Sequence, residues 1–86
     1  MPRALTIHRI VVPPADRAKY FERLREKERH YVGMGCRFWA FEEQQLQGAF
    51  VEFCEADSAQ SLSAAHAAAP ETPRDPSRIY TQVELS

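Results

Sequence analysis

Apolar and polar positions change their rhythm along this chain, and the changes mark out six elements. Residues 4–12, "ALTIHRIVV", are rich in β-branched side chains and stop at Pro13-Pro14, which predicts a strand with a hard end. Residues 16–31, "DRAKYFERLREKERHY", place Ala18, Phe21, Leu24 and Tyr31 at helical spacing with charges between them. Asp16 is a candidate N-cap for that helix, and Gly33 and Gly35 follow its C-terminal end. Two strands come next, over 36–42 and 49–55, with "EEQQLQG" turning between them. "DSAQSLSAAHAAAP" predicts a second helix, capped by Asp57 or Ser58, with Gln60 three residues after Asp57 and Pro70 as its stop. Its alanines favour helix and allow close packing. "PETPRDPS" holds three prolines in eight residues and predicts a loop. "RIYTQVEL", residues 78–85, then alternates Ile79, Thr81, Val83 and Leu85 with Tyr80, Gln82 and Glu84, as a last strand would.

The order β-α-β-β-α-β predicts an α+β protein on the ferredoxin-like plan. Both helices then lie on one face of a four-stranded antiparallel sheet. The hairpin over 36–55 raises a difficulty, because it carries bulky apolar groups at both even and odd positions. If cross-strand partners have an even sum, Trp39 and Phe41 share a face with Ala49, Val51 and Phe53. Cys36, Phe38, Ala40, Phe50, Glu52 and Cys54 share the other. An odd sum instead sets Arg37, Trp39 and Phe41 opposite Phe50, Glu52 and Cys54. The even sum is preferred, with the Trp39 set under the helices, because that set is the more apolar. Either way the uncovered face holds Phe50 and other bulky groups. Exposing it costs roughly 25 cal/mol per Å² of apolar surface. A second copy of the chain is the expected cover, giving a homodimer through the sheet faces that could enclose a ligand cavity.

Composition adds limits. The 86 residues suit a single domain over 1–86, too small to bury more than a modest core. An apolar fraction of 44% and a charged fraction of 27% are those of an ordinary soluble domain. The net charge of −1, with basic residues scattered, argues against nucleic acid as a partner. The mixed-sign run "FERLREKERH" is read as the wet side of a helix. No apolar run approaches the roughly 18 residues of a membrane span, and the N-terminus does not resemble a secretory leader. No membrane association and a cytoplasmic location are therefore expected. Cys36 and Cys54 lack the spacing of a zinc or redox site and are expected to be buried free thiols.

"VVPPADRAKYFERL" after the first strand, "GCRFWAF" opening the second, and "GAFVEFCEADSAQSLSAAH" running from the third strand into the second helix carry a likeness that spans nearly the whole chain. In layout the sequence resembles the dimeric α/β-barrel proteins of ferredoxin-like fold, especially the antibiotic-biosynthesis-monooxygenase type. That resemblance implies a pocket between helices and sheet for an aromatic substrate or haem. It also implies, for some members, an oxygenation that uses no cofactor. Haem-degrading members use an Asn, a Trp and a His, the Trp ten residues before the His. His66 falls at the His position, but Ala56 stands ten residues earlier and the chain has no Asn. Haem degradation is thus not expected, and no cofactor is.

Candidate site residues follow from chemistry and from the likeness together. Glu52 is a mid-strand carboxylate between Val51 and Phe53, and a buried charge must pair, take up a proton or serve a ligand. Arg37, Arg9 or a partner-chain group could pair with it. His66 offers a base with a pKa near neutrality. Tyr80, with Gln82 and Glu84, could border the same cavity. Glu52, His66 and Tyr80 are the candidates for moving a proton. Phe38, Phe50, Glu52, His66 and His8 are the candidates for lining a ligand site. His30 is read as a favourable cation at a helix end, and Trp39 as core. There is no Ser-His-Asp set, HExxH, phosphate loop or metal spacing. Three functions stay open: a homodimer binding a small aromatic or apolar ligand, a cofactor-independent monooxygenase-type enzyme, and an interaction domain without a ligand.

Overall fold

The computed structural model describes residues 2–71, 73 and 75–85; Met1, Ser86 and, in the stretch expected to be a loop, Thr72 and Arg74 lie outside the described residues. The elements are β1 (Ala4–Val11), a short 3-10 turn (Pro14–Asp16), α1 (Arg17–Gly33), β2 (Arg37–Glu42), β3 (Ala49–Ala56), α2 (Ala59–Ala67) and β4 (Tyr80–Thr81). They build an α+β domain whose sheet runs β2-β3-β1-β4, antiparallel at every pairing. This is compatible with the ferredoxin-like plan. No helix among the described residues is long and apolar enough to cross a membrane.

The hairpin has the even parity, with Phe38 facing Cys54 and Trp39 facing Phe53. Its faces are the reverse of the expectation. Cys36, Phe38, Phe50, Glu52 and Cys54 are buried under the helices, while Trp39 and Phe41 are 43% and 56% exposed. Trp39 is therefore not a core residue, and Phe38, Phe50 and Glu52 do not belong to the uncovered face. The reason lies outside the hairpin. β1 sets Ala4, Thr6, His8 and Ile10 beside Ala56, Cys54, Glu52 and Phe50. Ala4 and Ala56 leave room for Leu62 and Ala65 of α2 to come down onto the sheet. α1 supplies Tyr20 and Lys27, which satisfy the buried Glu52 carboxylate, and Arg17, which pairs with Glu42 at the end of the same face. Apolarity within the hairpin could not reveal partners that come from another element.

The core has two parts. One holds Ala4, Tyr31, Cys36, Phe38, Cys54, Ala56, Leu62 and Ala65 beneath both helices. The other joins Val12, Tyr20 and Phe50 near the start of α1. Tyr20 and Phe50 meet with ring centroids 4.7 Å apart. Ala18, expected to face the core, is exposed; Tyr20 takes that place.

Local chemistry fixes the joints. At the end of α1 the Cys36 N–H reaches Tyr31 O at 2.8 Å and the Gly35 N–H reaches Val32 O at 3.0 Å, a Schellman closure. It needs a left-handed residue at Gly35, whose φ is 81°. Gly48 closes the hairpin with φ of 93°, and its carbonyl accepts the Val12 N–H at 2.7 Å. Arg17 grips Glu42 in a bidentate pair of 2.7 and 2.8 Å, tying the start of α1 to the end of β2. Arg17 and the Gly48 N–H together hold the Glu42 carboxyl down at about 2. Ser58, rather than Asp57, caps α2 by accepting the Ser61 N–H at 3.1 Å. Asp57 instead pairs with Arg37. Asp16 makes no side-chain cap, because the chain enters α1 through the 3-10 turn.

The last strand is much shorter than the alternation over 78–85 predicts. Only Tyr80 and Thr81 pair, with Leu5 and Ala4, and one further bond joins the Gln82 N–H to Arg3 O. Val83 and Leu85 are accordingly exposed.

Candidate functional site

Glu52 anchors the first of two polar clusters on the helix-covered face. It sits mid-way along β3, opposite His8 on β1 and Ala40 on β2, and is 5% exposed. Tyr20 Oη donates to its Oε2 at 2.8 Å, and Lys27 Nζ donates to its Oε1 at 3.0 Å. Both donors come from α1, two turns apart, so the helix must dock in register for the carboxylate to be held. Burial, and then the bond to Glu52, push the Tyr20 hydroxyl far above its ordinary pKa. It stays a donor. The structural pairing expected for Glu52 thus exists, but Lys27 provides it rather than Arg37 or Arg9. Arg37 pairs with Glu55 and Asp57 at the sheet's other side.

His66 anchors the second cluster. Its ring is 3% exposed, with Nδ1 2.7 Å from Tyr31 Oη and Nε2 2.9 Å from Thr6 Oγ1. Burial, with a smaller effect from His30, lowers its pKa, so the imidazole is neutral at pH 7. Tyr31 is held protonated, chiefly by burial. Tyr31 Oη and Thr6 Oγ1 can each donate or accept, so both ring nitrogens are satisfied in either neutral tautomer. Cys54 stands across from Thr6, and burial pushes its thiol up to about 12. It is no nucleophile at neutral pH. Cys36 and Cys54 are both free and buried, as expected of them. Their strand positions are offset, since Cys54 faces Phe38. His30 donates from Nε2 to Ala65 O at 2.8 Å, which locks α1 to α2.

The two clusters are adjacent. Thr6 with Cys54, and His8 with Glu52, are successive pairs on one face of the sheet, about 6.5–7 Å apart along the strand. Both open onto one cavity of about 760 Å³. Its floor is β1 and β3, its wall is the Tyr20, Arg23, Lys27 and Tyr31 stripe of α1, and its far side is formed by Glu71, Pro73, Asp75 and Arg78 after α2. The cavity exists because β4 covers only the first two residues of β1 and leaves the rest of that edge unpaired.

Of the residues singled out from sequence, the structure brings Glu52, His66, His8, Phe38 and Tyr80 to this one cavity. Tyr80 is half-exposed at its margin. Phe50 is not among its walls. It packs into the second core part and borders a shallow depression with Phe21, Leu24 and Arg25. Sequence reasoning missed Tyr20, Arg23, Lys27 and Thr6. The α1 residues were visible in principle, since steps of three, four and four from Tyr20 to Tyr31 put all of them on one helical stripe.

Chemically, the cavity offers a held carboxylate, a neutral imidazole, two protonated phenols and an ammonium, set among aromatic and aliphatic walls. Among the described residues no cluster of His, Cys, Asp or Glu could hold a metal ion. No family model, curated protein or solved structure matches the chain.

Proposed function

We propose that this protein binds a small aromatic or apolar molecule in the cavity between α1, β1 and the segment after α2. The observation that carries the reading is the convergence of both buried polar clusters on one cavity of about 760 Å³, within the size range of ligand sites. A structural domain would gain nothing from leaving such a space beside two satisfied polar groups. Binding is tested by amide NMR titration with flavonoids, quinones and haem. A ligand should shift Thr6, Tyr20, Glu52 and His66 and leave Trp39, on the other face, unmoved. A panel that shifts none of these at millimolar concentration overturns the reading.

The reading includes a homodimer through the uncovered sheet face. Ile7, Val11, Trp39 and Phe41 are exposed there beside half-buried Val51 and Phe53. Covering such a patch with its own copy is the economical solution for a domain of this size. A cytoplasmic setting suits the free Cys36 and Cys54.

One observation favours a second reading, an enzyme of the cofactor-independent monooxygenase type. His66 is a neutral base at the wall of the cavity. In this reading His66 gives up one of its bonds, to Thr6 or Tyr31, and takes a proton from an acidic C–H of the substrate; the carbanion adds dioxygen to form a peroxide, which regains the proton and loses water to leave a carbonyl. Oxygen consumption with a quinol substrate, lost in His66→Ala, would raise this reading above simple binding.

A further inference from the structure

The charges around the cavity are not balanced within the protein, and the imbalance has a position. Lys27 is paired with Glu52, and Arg78 with Asp75. Arg9 and Arg23 also line the cavity, yet neither has a carboxylate in ion-pair range among the described residues. Glu71 is the one lining carboxylate left to set against them. Arg23 is the telling member. It lies four residues before Lys27 on the same stripe of α1, so two cations stand one turn apart facing one space. Glu52 offsets the charge of Lys27, so Arg23 is the cation on this stripe left without a carboxylate partner among the described residues. Lys27 spends one of its three N–H donors on Glu52, which leaves donors for a second acceptor.

The geometry points to an aromatic monocarboxylate as the class of ligand, its acid group received between Arg23 and Lys27. The ring system lies along the accessible apolar part of the wall, against Ile10 and the half-exposed Tyr80, and the volume takes two or three fused rings. The planar guanidinium of Arg23 matches a carboxylate in two-point contact, and Lys27 adds a point charge. Tyr20 and Tyr31 are buried and already committed to Glu52 and His66, so neither holds the aromatic end, which rests on Ile10 and Tyr80. This inference rests on the cavity reading above and makes it specific.

The test compares 2-naphthoate with its neutral isostere 2-naphthamide by calorimetry and by amide NMR, using the full chain. The parent should bind the acid at least about tenfold more tightly than the amide, as a charge-assisted contact implies. Arg23→Gln should bring the two within about threefold of each other while leaving amide affinity unchanged. Arg25→Gln, on α1 but outside this cavity, should keep the preference. Equal binding of acid and amide by the parent overturns the acid inference and leaves the cavity reading standing. A preference that survives Arg23→Gln also overturns the inference. Binding of neither compound overturns both. Competition by inorganic phosphate as strong as by naphthoate would show an unselective anion site, and overturns the assignment of the ring to the cavity wall.

Discussion

Removing the positive partner of Glu52 is the most direct probe of how its charge is carried. Lys27→Met keeps the aliphatic stem and deletes the ammonium, leaving a carboxylate that is 5% exposed with Tyr20 as its remaining donor. Breaking a fully buried pair from one side costs about 3–5 kcal/mol. The Lys27 side chain is 20% exposed, so water reaches this pair and the cost here falls to about 2–3 kcal/mol. For a domain of this length that lowers Tm by about 8–24 °C. Glu52→Leu alone strands the buried Tyr20 hydroxyl, at about 1–3 kcal/mol. The triple variant Tyr20→Phe/Lys27→Met/Glu52→Leu removes every polar member and should return to within about 1 kcal/mol of the parent, since well-packed apolar groups commonly match a buried ion pair. Urea unfolding of the four proteins, read by far-UV circular dichroism, gives the comparison. A Lys27→Met protein within about 0.5 kcal/mol of the parent would show that the carboxylate is solvated without its partner and would refute the reasoning. A triple variant as unstable as the single one would show that the triad is kept for folding. Recovery in the triple variant would show that folding does not require this charge, which is the condition for assigning it to a ligand.

The other predictions concern different parts of the molecule. Gly48→Ala should destabilise more than Gly35→Ala. Both sites have positive φ, but a Cβ at Gly48 would stand 2.6 Å from Val12 O whereas one at Gly35 meets nothing within 4 Å; thermal melts giving the reverse order would contradict this. His66 has a lowered pKa in the fold, so the unfolded chain binds its proton first as pH falls. Its contribution is intact above the ordinary value of 6.5 and is lost below it, at a slope of at most about 1.4 kcal/mol per pH unit. Unfolding measured from pH 7 to pH 5 avoids the lower range in which Glu42 titrates, and His66→Gln should flatten the curve there. Phe41→Glu should turn a dimer into a folded monomer by sedimentation equilibrium, whereas Phe50→Glu should unfold the chain because Phe50 is core. A parent that sediments as a 9.9 kDa monomer at micromolar concentration would remove the dimer from the proposal. Cys36 and Cys54 should resist iodoacetamide at pH 8 in the native protein and both react once it is unfolded, since burial disfavours each thiolate.

The sequence alone determined the number, kind and order of the elements, because these depend on local rules. Pro13-Pro14 ends a strand, Gly35 accepts the left-handed turn after a helix, and β-branched runs favour extended chain. The same local patterns marked Glu52 as an unusual carboxylate; the even parity of the hairpin was preferred for placing Trp39 and Phe41 under the helices, and it holds with the faces reversed. They did not determine which face the helices cover. That choice compared two nearly equal apolar surfaces, and it was decided by contacts between distant residues: Ala4 and Ala56 leaving space for α2, and Tyr20 and Lys27 reaching Glu52 from α1. The last strand shows the same limit. Its alternation is genuine, but a strand exists only where a neighbour pairs with it, and here the pairing with β1 covers two residues and one further bond. The cavity follows from that shortfall and from the α1 stripe. His66 and Glu52 could be suspected one by one, but only folding puts them side by side, since 13 intervening residues and a turn of the chain separate them in sequence. Burial then keeps the His66 imidazole neutral and both tyrosines protonated, and burial is a property of the packed molecule that no residue carries by itself.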